Sequence, residues 1–357
     1  MKFAKSGILK TLVVCLLILT LVGLTACGGS KEATNGDGGT GGGSVTLKLA
    51  HFLPPMHFYN TVVVDAFVEE VEELTEGRVK FDVYAAASLG DAENHYDMAA
   101  TGVADIAISL QSYTEGKFPL SSVVELPFIS QSAEMGTEIL YELYNKFPEL
   151  QEEYADTKVL WLFQNDAEYV LTTDKAVNTL EEMNGLRIRV ASDMTRKAVD
   201  NWGGSPMFMP MPDVYDSAQR GVIDGATGPL SAIESFRLAD VIHNITEGPF
   251  TITNFFAVMN KNAWNKLSPE DQEIIEGITE KYRKLSAQEY DKAGERGRQI
   301  AEEAGTQFNK LTDAEQKKFE EALADTYQEW VDNANKRGLP GDEILEEARR
   351  LSQEYRK

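Results

Sequence analysis

The sequence predicts an α/β protein with two domains and one long helix after them. Two runs of alternating strand and helix segments, over 45–109 and 159–226, support this fold class. No Gly-, Ser- or Pro-rich linker separates the runs, and a helical pattern over 268–304 follows them. Alternating elements of this kind usually build a largely parallel sheet with helices on its faces.

The first run opens at Val45, where apolar and polar residues alternate through Ala50. Helical spacing over 61–75 and renewed alternation over 79–84 complete a β-α-β unit. A helix near 92–100 and a strand over 103–109 continue the pattern.

The second run has the same character. Its predicted strands cover 159–164, 169–172, 187–190 and 223–226, and its predicted helices lie near 194–202 and 214–220. Because no flexible linker lies between the runs, we expect strands to pass directly from one domain to the other and to form a hinge.

A strong helix start stands at Ser268, which is followed by proline at the first helical position and by an acid three residues on. Apolar spacing continues to about Ala304, so the helix would reach ~50 Å at 1.5 Å per residue. Gly294 and Gly297 leave two alternatives open, one continuous helix or two shorter ones. A continuous helix would serve as a strut across both domains.

The first 27 residues have the pattern of a lipoprotein signal peptide. Three lysines precede a short apolar run, and small residues precede Cys27. The pattern predicts export, removal of 1–27 and lipid attachment at Cys27, and the Gly- and Ser-rich 28–44 segment reads as a flexible tether. The apolar run is shorter than the roughly 20 residues that a membrane span needs.

The composition excludes several classes of function. The net charge of −23 argues against nucleic acid, whose phosphates require compensating cations. Cys15 lies in the signal peptide, so no thiol remains in the body for a disulfide or a nucleophile. No hydrolase, metalloprotease, phosphate-loop or dinucleotide motif occurs, and the sequence therefore predicts neither an enzyme nor a cofactor. His51 and His57 lie close together, but no further ligands suggest a metal site.

Arg187 and Arg189 share one face of the alternating segment 186–190, opposite its apolar side chains. One interpretation is that both pair with nearby acids such as Glu181 or Asp193. The other is that one of them faces a cleft and binds a carboxylate through two parallel, charge-assisted hydrogen bonds.

Several segments, in order, resemble the solute-binding subunits of tripartite ATP-independent periplasmic (TRAP) transporters. They are NGLRIRV at 184–190, GGSP at 203–206, MPMPDVY at 209–215 and QRGVIDG at 219–225, with supporting matches at 87–90, 102–106 and 259–264. The resemblance implies a two-domain fold like that of periplasmic binding proteins, with hinge strands and a long helix that spans both domains. It also implies that Arg189 is the carboxylate-binding arginine and that Arg187 is structural.

On this resemblance, domain I covers 45–166 and 255–294, and domain II covers 167–254 and 295–357. Two departures argue against sialic acid as the ligand. Sialic-acid-binding members carry an arginine where this chain has Tyr169, and an asparagine where Gly228 precedes Pro229.

The predicted ligand-binding residues fall into three groups. Gln111 and Ser112, with Tyr113 as a further wall candidate, follow a strand at its carboxyl end, where α/β sheets commonly bind ligands. Apolar or aromatic wall and loop positions near the cleft form the second group, and the residues placed by the resemblance form the third. The full set is Arg189, Tyr169, Gln111, Ser112, Phe52, His51, Met211, Pro212, Gly228 and Phe255. Glu125, Glu168 and Glu234 are alternative candidates for an acid that orients Arg189.

We therefore expect a monomeric, lipid-anchored binding protein on the outer face of the cytoplasmic membrane. It would capture an organic carboxylate by domain closure and deliver it to TRAP membrane subunits. The principal alternative is an ABC-type substrate-binding lipoprotein for a small polar solute, and the second is a secreted enzyme.

Overall fold

The computed structural model describes residues 44–356. No helix in this part of the chain is long and apolar enough to cross a membrane. The predicted signal peptide, the predicted lipidation site Cys27 and all but the last residue of the predicted tether lie outside the described residues.

The strands alternate with helices along most of the chain, as the sequence predicts. In chain order they are β1 (Val45–His51), β2 (Val79–Tyr84), β3 (Ile106–Leu110), β4 (Thr157–Gln164), β5 (Glu168–Thr172), β6 (Arg187–Val190), β7 (Ser205–Phe208), β8 (Gly225–Pro229), β9 (Asn244–Thr251), β10 (Asn254–Asn260) and β11 (Gln307–Lys310).

These strands form two sheets. The first has the order β2-β1-β3-β10-β4, and the second has the order β11-β9-β5-β8-β6-β7. Both are mixed and not largely parallel, because β10 runs antiparallel to β3 and β4, and β5 runs antiparallel to β8 and β9. The antiparallel strands β4, β5, β9 and β10 are those through which the chain leaves one sheet for the other.

Two short crossings, 165–167 and 252–253, carry the chain directly from a strand of one sheet to a strand of the other. The two crossings are bonded to each other. Asn165 N donates to Thr253 O (3.2 Å), and Thr253 N donates to Asn165 Oδ1 (2.8 Å). Strands thus continue directly from sheet to sheet, which confirms the prediction of a hinge without a loose linker.

The α-helices cover the faces of the sheets. They are α1 (Asp65–Leu74), α2 (His95–Thr101), α3 (Ala133–Lys146), α4 (Pro148–Glu152), α5 (Asp193–Asn201), α6 (Val214–Gln219), α7 (Ser231–Ser235), α8 (Lys261–Lys266), α9 (Pro269–Glu303), α10 (Asp313–Glu321), α11 (Thr326–Lys336) and α12 (Gly341–Tyr355).

Helix α9 is continuous over 35 residues. Ser268 caps it, because its hydroxyl accepts a hydrogen bond from Asp271 N (3.1 Å). The helix contacts β4 and α3 on the side of the first sheet and α7 on the side of the second. Gly294 and Gly297 do not break it but permit close packing. A Cβ at Gly297 would lie 1.9 Å from Leu230 O, and one at Gly294 would lie 2.6 Å from Asp166 Oδ2.

The two C-terminal helices pack on the same side of the chain as the first sheet, where α12 contacts α3 and the segment 121–125. Trp330 and Ile344 join a buried apolar cluster with Leu162 of β4 and Phe256 of β10. The predicted bounds placed 295–357 in domain II, whereas α12 packs against α3 and the segment 121–125, and Trp330 of α11 donates to Pro119 O and Ser122 Oγ on the side of the first sheet. Within 295–357, β11 pairs with β9 of the second sheet, and α10 packs on the same side through Phe319.

Candidate functional site

Arg189 occupies the interior of the second sheet. It lies in β6, between β7 and β8, and its neighbours across the strands are Met207 and Ala226. Its exposed fraction is 1%. A fully buried arginine is uncommon, because burial of a cation requires hydrogen bonds or an opposite charge.

Hydrogen bonds from the guanidinium satisfy only part of this requirement. Nε donates to Met209 O (2.8 Å), Nη1 donates to Thr227 O (3.1 Å), and Nη2 donates to the Tyr113 hydroxyl (3.2 Å). A guanidinium carries five N–H groups. Two of them, one on each terminal nitrogen, are therefore left for another acceptor, which is the donor arrangement that a carboxylate accepts.

None of the described acids lies within ion-pair distance of Arg189. Glu125 accepts from Asn254 N (2.9 Å), and Glu234 pairs with Arg296 (3.3 Å). Glu168 does not form an ion pair with Arg189 either, so the prediction that one of these three acids orients it is wrong. Backbone carbonyls of neighbouring chain segments orient it instead.

Arg187 is different from Arg189 although it precedes it by two residues. Its Nη2 lies 2.6 Å from Asp224 Oδ1, and its Nε and backbone N donate to Asp224 Oδ2. Its side chain is 45% exposed. The interpretation of Arg187 as a structural residue agrees with this ion pair.

Tyr113 links the two sheets beside Arg189. It follows β3 of the first sheet, and its hydroxyl accepts from Arg189 Nη2 and from Met211 N (2.9 Å), both of which belong to the second-sheet side. Burial raises the pKa of Tyr113, and the Arg189 charge partly opposes that effect. The phenol therefore remains protonated and keeps these two contacts.

A small cavity of about 30 Å³ lies against Arg189. Residues of both sheets contribute to its wall, which is mostly apolar and aromatic. The lining residues are Phe52, Leu53, His57, Leu110, Asn165, Glu168, Arg189, Ala191, Met211, Pro229, Ser231, Ala232, Phe236, Phe255 and Tyr290. An apolar wall strengthens the attraction between Arg189 and an anion, because it excludes water.

Two polar side chains of the cavity wall, His57 and Glu168, differ in what they offer a ligand. Burial lowers the pKa of His57 to about 3, so the imidazole is neutral near pH 7. Glu168 is 2% exposed, and its Oε1 accepts from the Thr253 hydroxyl and from Asn165 Nδ2 (3.4 Å). Its Oε2 has no hydrogen-bond partner among residues 44–356.

A larger cleft of about 920 Å³ lies on the other side of Tyr113. Gln111 and Ser112 line it, together with Ser192 at the start of α5 and Trp330 of α11. Within the described chain, both amide atoms of Gln111 and the hydroxyl of Ser112 are buried without a hydrogen-bond partner. Tyr113 lines the cleft and contacts Arg189, which lines the cavity, so it lies between the two spaces.

The cavity brings together four of the predicted ligand-binding residues, namely Arg189, Phe52, Met211 and Phe255. Gln111 and Ser112 line the larger cleft instead.

The remaining four predicted residues do not line either space, and each has a physical reason. Pro212 is exposed. The ring of His51 is buried and bonded to Asn60 Oδ1 (2.7 Å). Gly228 has no side chain to present, and a Cβ there would lie 3.4 Å from the methyl carbon of Met211. Tyr169 and Glu168 are consecutive in β5, and successive strand side chains face opposite sides. Because Glu168 faces the cavity, Tyr169 faces away from it.

Sequence reasoning missed the position of Glu168 at the cavity and considered it only as a partner for Arg189. Strand alternation from Tyr169 was the signal that could have found it. The register of β5 against β9 shifts between Glu168 and Val170, and such irregularities re-aim side chains. Ser231, Phe236 and Tyr290 were missed as well, because they reach the cavity from α7, the segment after it and α9.

Comparison with known proteins agrees with this architecture. The model of the family "Bacterial extracellular solute-binding protein, family 7" matches residues 49–333. A relative from Comamonas testosteroni, described as outer membrane transporter protein TsaT, is 25% identical over 304 residues, which cover 84% of this chain and 90% of the relative.

Two solved structures are similar over most of the chain. One is a TRAP solute-binding protein from Rhodoferax ferrireducens in complex with copurified benzoate, with a TM-score of 0.83 and 28% identity, covering 87% of this chain and 98% of that one. The other is a TRAP periplasmic solute-binding protein from Bordetella bronchiseptica with bound (R)- and (S)-mandelate. Its TM-score is 0.81 and its identity 25%, over 87% of this chain and 99% of that one.

Proposed function

Since this chain belongs to bacterial extracellular solute-binding protein family 7, we propose that it captures an organic acid through Arg189. It is the periplasmic solute-binding protein of a TRAP transporter. The family consists of solute-binding proteins and not of enzymes. The same match favours this assignment over an ABC-type binding protein.

The observation that carries the proposal is the incomplete bonding of a buried arginine. Arg189 has no ion-pair partner in the described chain, keeps two N–H groups and lines a cavity with a largely apolar wall. A carboxylate would complete its hydrogen bonds and neutralise its charge in one step. Phe52, Met211 and Phe255 would surround the rest of the ligand.

The ligands of the similar structures support a carboxylate. Benzoate and mandelate are both monocarboxylates with an aromatic ring. An aromatic ring would suit a wall that contains stacked rings, such as Phe52 and Phe255, whose centroids lie 6.2 Å apart.

Capture would proceed by domain closure. We assign 45–166, 255–294 and the helices α11 and α12 to domain I, and 167–254 with the segment from 295 through α10 to domain II. The ligand would enter while the domains are apart, and Tyr113 would then meet Arg189 and Met211 as they close. A ligand shifts this equilibrium only if it binds the closed state more tightly.

We also propose how the acid is delivered and how the protein is attached to the membrane. The loaded protein would pass its acid to the TRAP membrane subunits, and a lipid on Cys27 would hold it at the outer face of the cytoplasmic membrane. A single acyl chain gives only reversible anchoring, so further lipid chains on the same cysteine would be needed for stable attachment. The protein would act as a monomer, because the cavity receives residues from both sheets of one chain.

The test is thermal unfolding of the purified protein with a panel of organic acids, neutral sugars and amino acids, followed by calorimetry with the best ligand. Arg189→Met should weaken binding by about 100-fold or more, since it removes two charge-assisted hydrogen bonds. Arg187→Met is the matched control and should bind as the natural protein does. Stabilisation by neutral sugars alone, or equal binding by the Arg189 variant, would disprove the proposal.

A further inference from the structure

Glu168 brings a carboxyl group to the cavity of Arg189. It begins β5 and is 2% exposed. Thr253 and Asn165, which belong to the two crossing segments, donate to its Oε1 and fix the carboxyl group. Its Oε2 is buried and has no hydrogen-bond partner within residues 44–356.

The two groups do not form an ion pair. Glu168 and Arg189 both line the cavity, yet no nitrogen of Arg189 lies within 4.0 Å of a carboxylate oxygen of any described residue. The other wall groups do not supply a donor to Glu168 Oε2 either, and His57 is neutral near pH 7. The cavity therefore presents a free pair of donors at Arg189 and a free acceptor at Glu168.

An unsatisfied buried acceptor is costly, and the cost is larger for a charged group. A ligand that donates a hydrogen bond to Glu168 Oε2 removes this cost, whereas a ligand without a donor leaves it in place. A site built to bond a hydroxyl or amine rejects analogues that lack the group, because its own polar atom is then left unpaired.

We propose that the ligand is an organic acid that also carries a hydrogen-bond donor, a hydroxyl or an ammonium group, and that Glu168 selects for this donor. The inference rests on the proposed function, since Arg189 must hold the carboxylate. Glu168 then accepts a hydrogen bond from the hydroxyl or ammonium group of the ligand. A dicarboxylate is disfavoured, because its second carboxylate would meet a carboxylate of like charge, and a neutral sugar would leave Arg189 unpaired.

The test uses acids that share one carbon skeleton and differ in a single group. The series are phenylacetate, mandelate and phenylglycine, then propionate, lactate and alanine, then benzoate and 3-hydroxybenzoate. Affinity is measured by calorimetry for each acid, and for the tightest acid of the wider panel against its analogue without the donor. We expect the donor-bearing acid to bind at least about tenfold more tightly. The hydroxyl and ammonium arms show which donor the site takes.

The variant Glu168→Gln keeps an acceptor for Thr253 and removes the charge. It should reduce the preference for the donor-bearing acid several-fold, and most strongly for an ammonium group. Glu168→Leu removes the acceptor altogether and should abolish the preference, and Glu153→Gln, a buried acid outside the cavity, is the control.

Two results would overturn the inference. One is a tightest ligand without a donor, and the other is an unchanged preference in a folded Glu168→Gln protein. Should the variants fail to fold, the ligand series on the natural protein still decides. In either case binding that depends on Arg189 would leave the proposed function intact, whereas loss of all carboxylate binding would defeat both.

Discussion

The two ends of β6 hold two arginines in contrasting surroundings. Arg187, at the start of the strand, is half exposed and bonded to Asp224 through side chain and backbone. Arg189, near its end, is buried, and its partners are two carbonyls and the Tyr113 hydroxyl. The sequence pattern places both side chains on one face of the strand and does not distinguish them.

The contrast shows where the protein tolerates an uncompensated charge. An exposed ion pair contributes little to stability and little to recognition. A buried guanidinium with only carbonyl and hydroxyl partners retains free donors, and its burial destabilises the folded protein. A bound anion offsets this destabilisation. Incomplete bonding, and not the presence of an arginine, distinguishes the proposed ligand site.

The difference between the two arginines would disappear if a buried acid of the protein neutralised Arg189. The ionisation state of Glu125 tests this possibility. Burial raises the pKa of Glu125 to about 8, with Glu168 and Asp193 adding to the effect. A carboxyl group paired with a guanidinium would instead have a lowered pKa. The folded protein therefore keeps this proton up to about pH 8, whereas the unfolded chain loses it near 4.5.

It follows that the Glu125 contribution to stability is complete below pH 4.5 and falls as the pH rises through about 8. Glu125→Gln should match the natural protein near pH 5 and unfold several degrees higher near pH 9, at roughly 2–4 °C per kcal/mol. Thermal unfolding followed by circular dichroism across this range is the measurement. A variant less stable than the natural protein near pH 9 would mean that Glu125 is ionised and paired, and the contrast would fail.

Much of the fold was predictable because its signals are local. Strand alternation, helical spacing and the Ser268 cap are read within one segment, and each corresponds to an observed element. The continuity of α9 through Gly294 and Gly297 was left open, because their role depends on Leu230 and Asp166, which approach from distant parts of the chain. The packing of α12 against α3 is equally non-local.

The sequence placed Arg189 at the candidate site, whereas it predicted less of the cavity wall. Arg189 followed from the strand pattern together with the resemblance. Strand alternation indicates the face on which Glu168 lies, whereas its place at the cavity and the contact of Tyr113 with Arg189 depend on the approach of the two sheets. Residue type identified candidates, whereas tertiary contacts decided which of them reach the cavity.

A smaller effect is expected at Tyr113, which follows β3 of the first sheet and bonds to Arg189. Its substitution tests whether this contact contributes to ligand binding. Tyr113→Phe removes the hydroxyl that accepts from Arg189 and Met211. The two lost hydrogen bonds are together worth roughly 1–3 kcal/mol, so affinity for the best acid should fall about tenfold or more. Tyr215→Phe is the control, because within residues 44–356 its hydroxyl is bonded only to Gln219 on α6. Equal affinity in both variants would show that closure does not depend on this contact.

The smallest effect is expected at the other end of β6. Arg187→Met should lower stability by at most about 1 kcal/mol, because the pair with Asp224 is partly exposed. Arg187 lowers the pKa of Asp224, so the contribution is present at neutral pH and is lost as the pH falls below 3.8 through the folded value. The deficit should also shrink in about 1 M salt, where the screening length is about 3 Å. A deficit that persists in both conditions would mean that Arg187 stabilises the strand by packing and not by charge. Arg187 would then act through the packing of its aliphatic side-chain carbons. Only Arg189 would then provide evidence on how the protein compensates a charge.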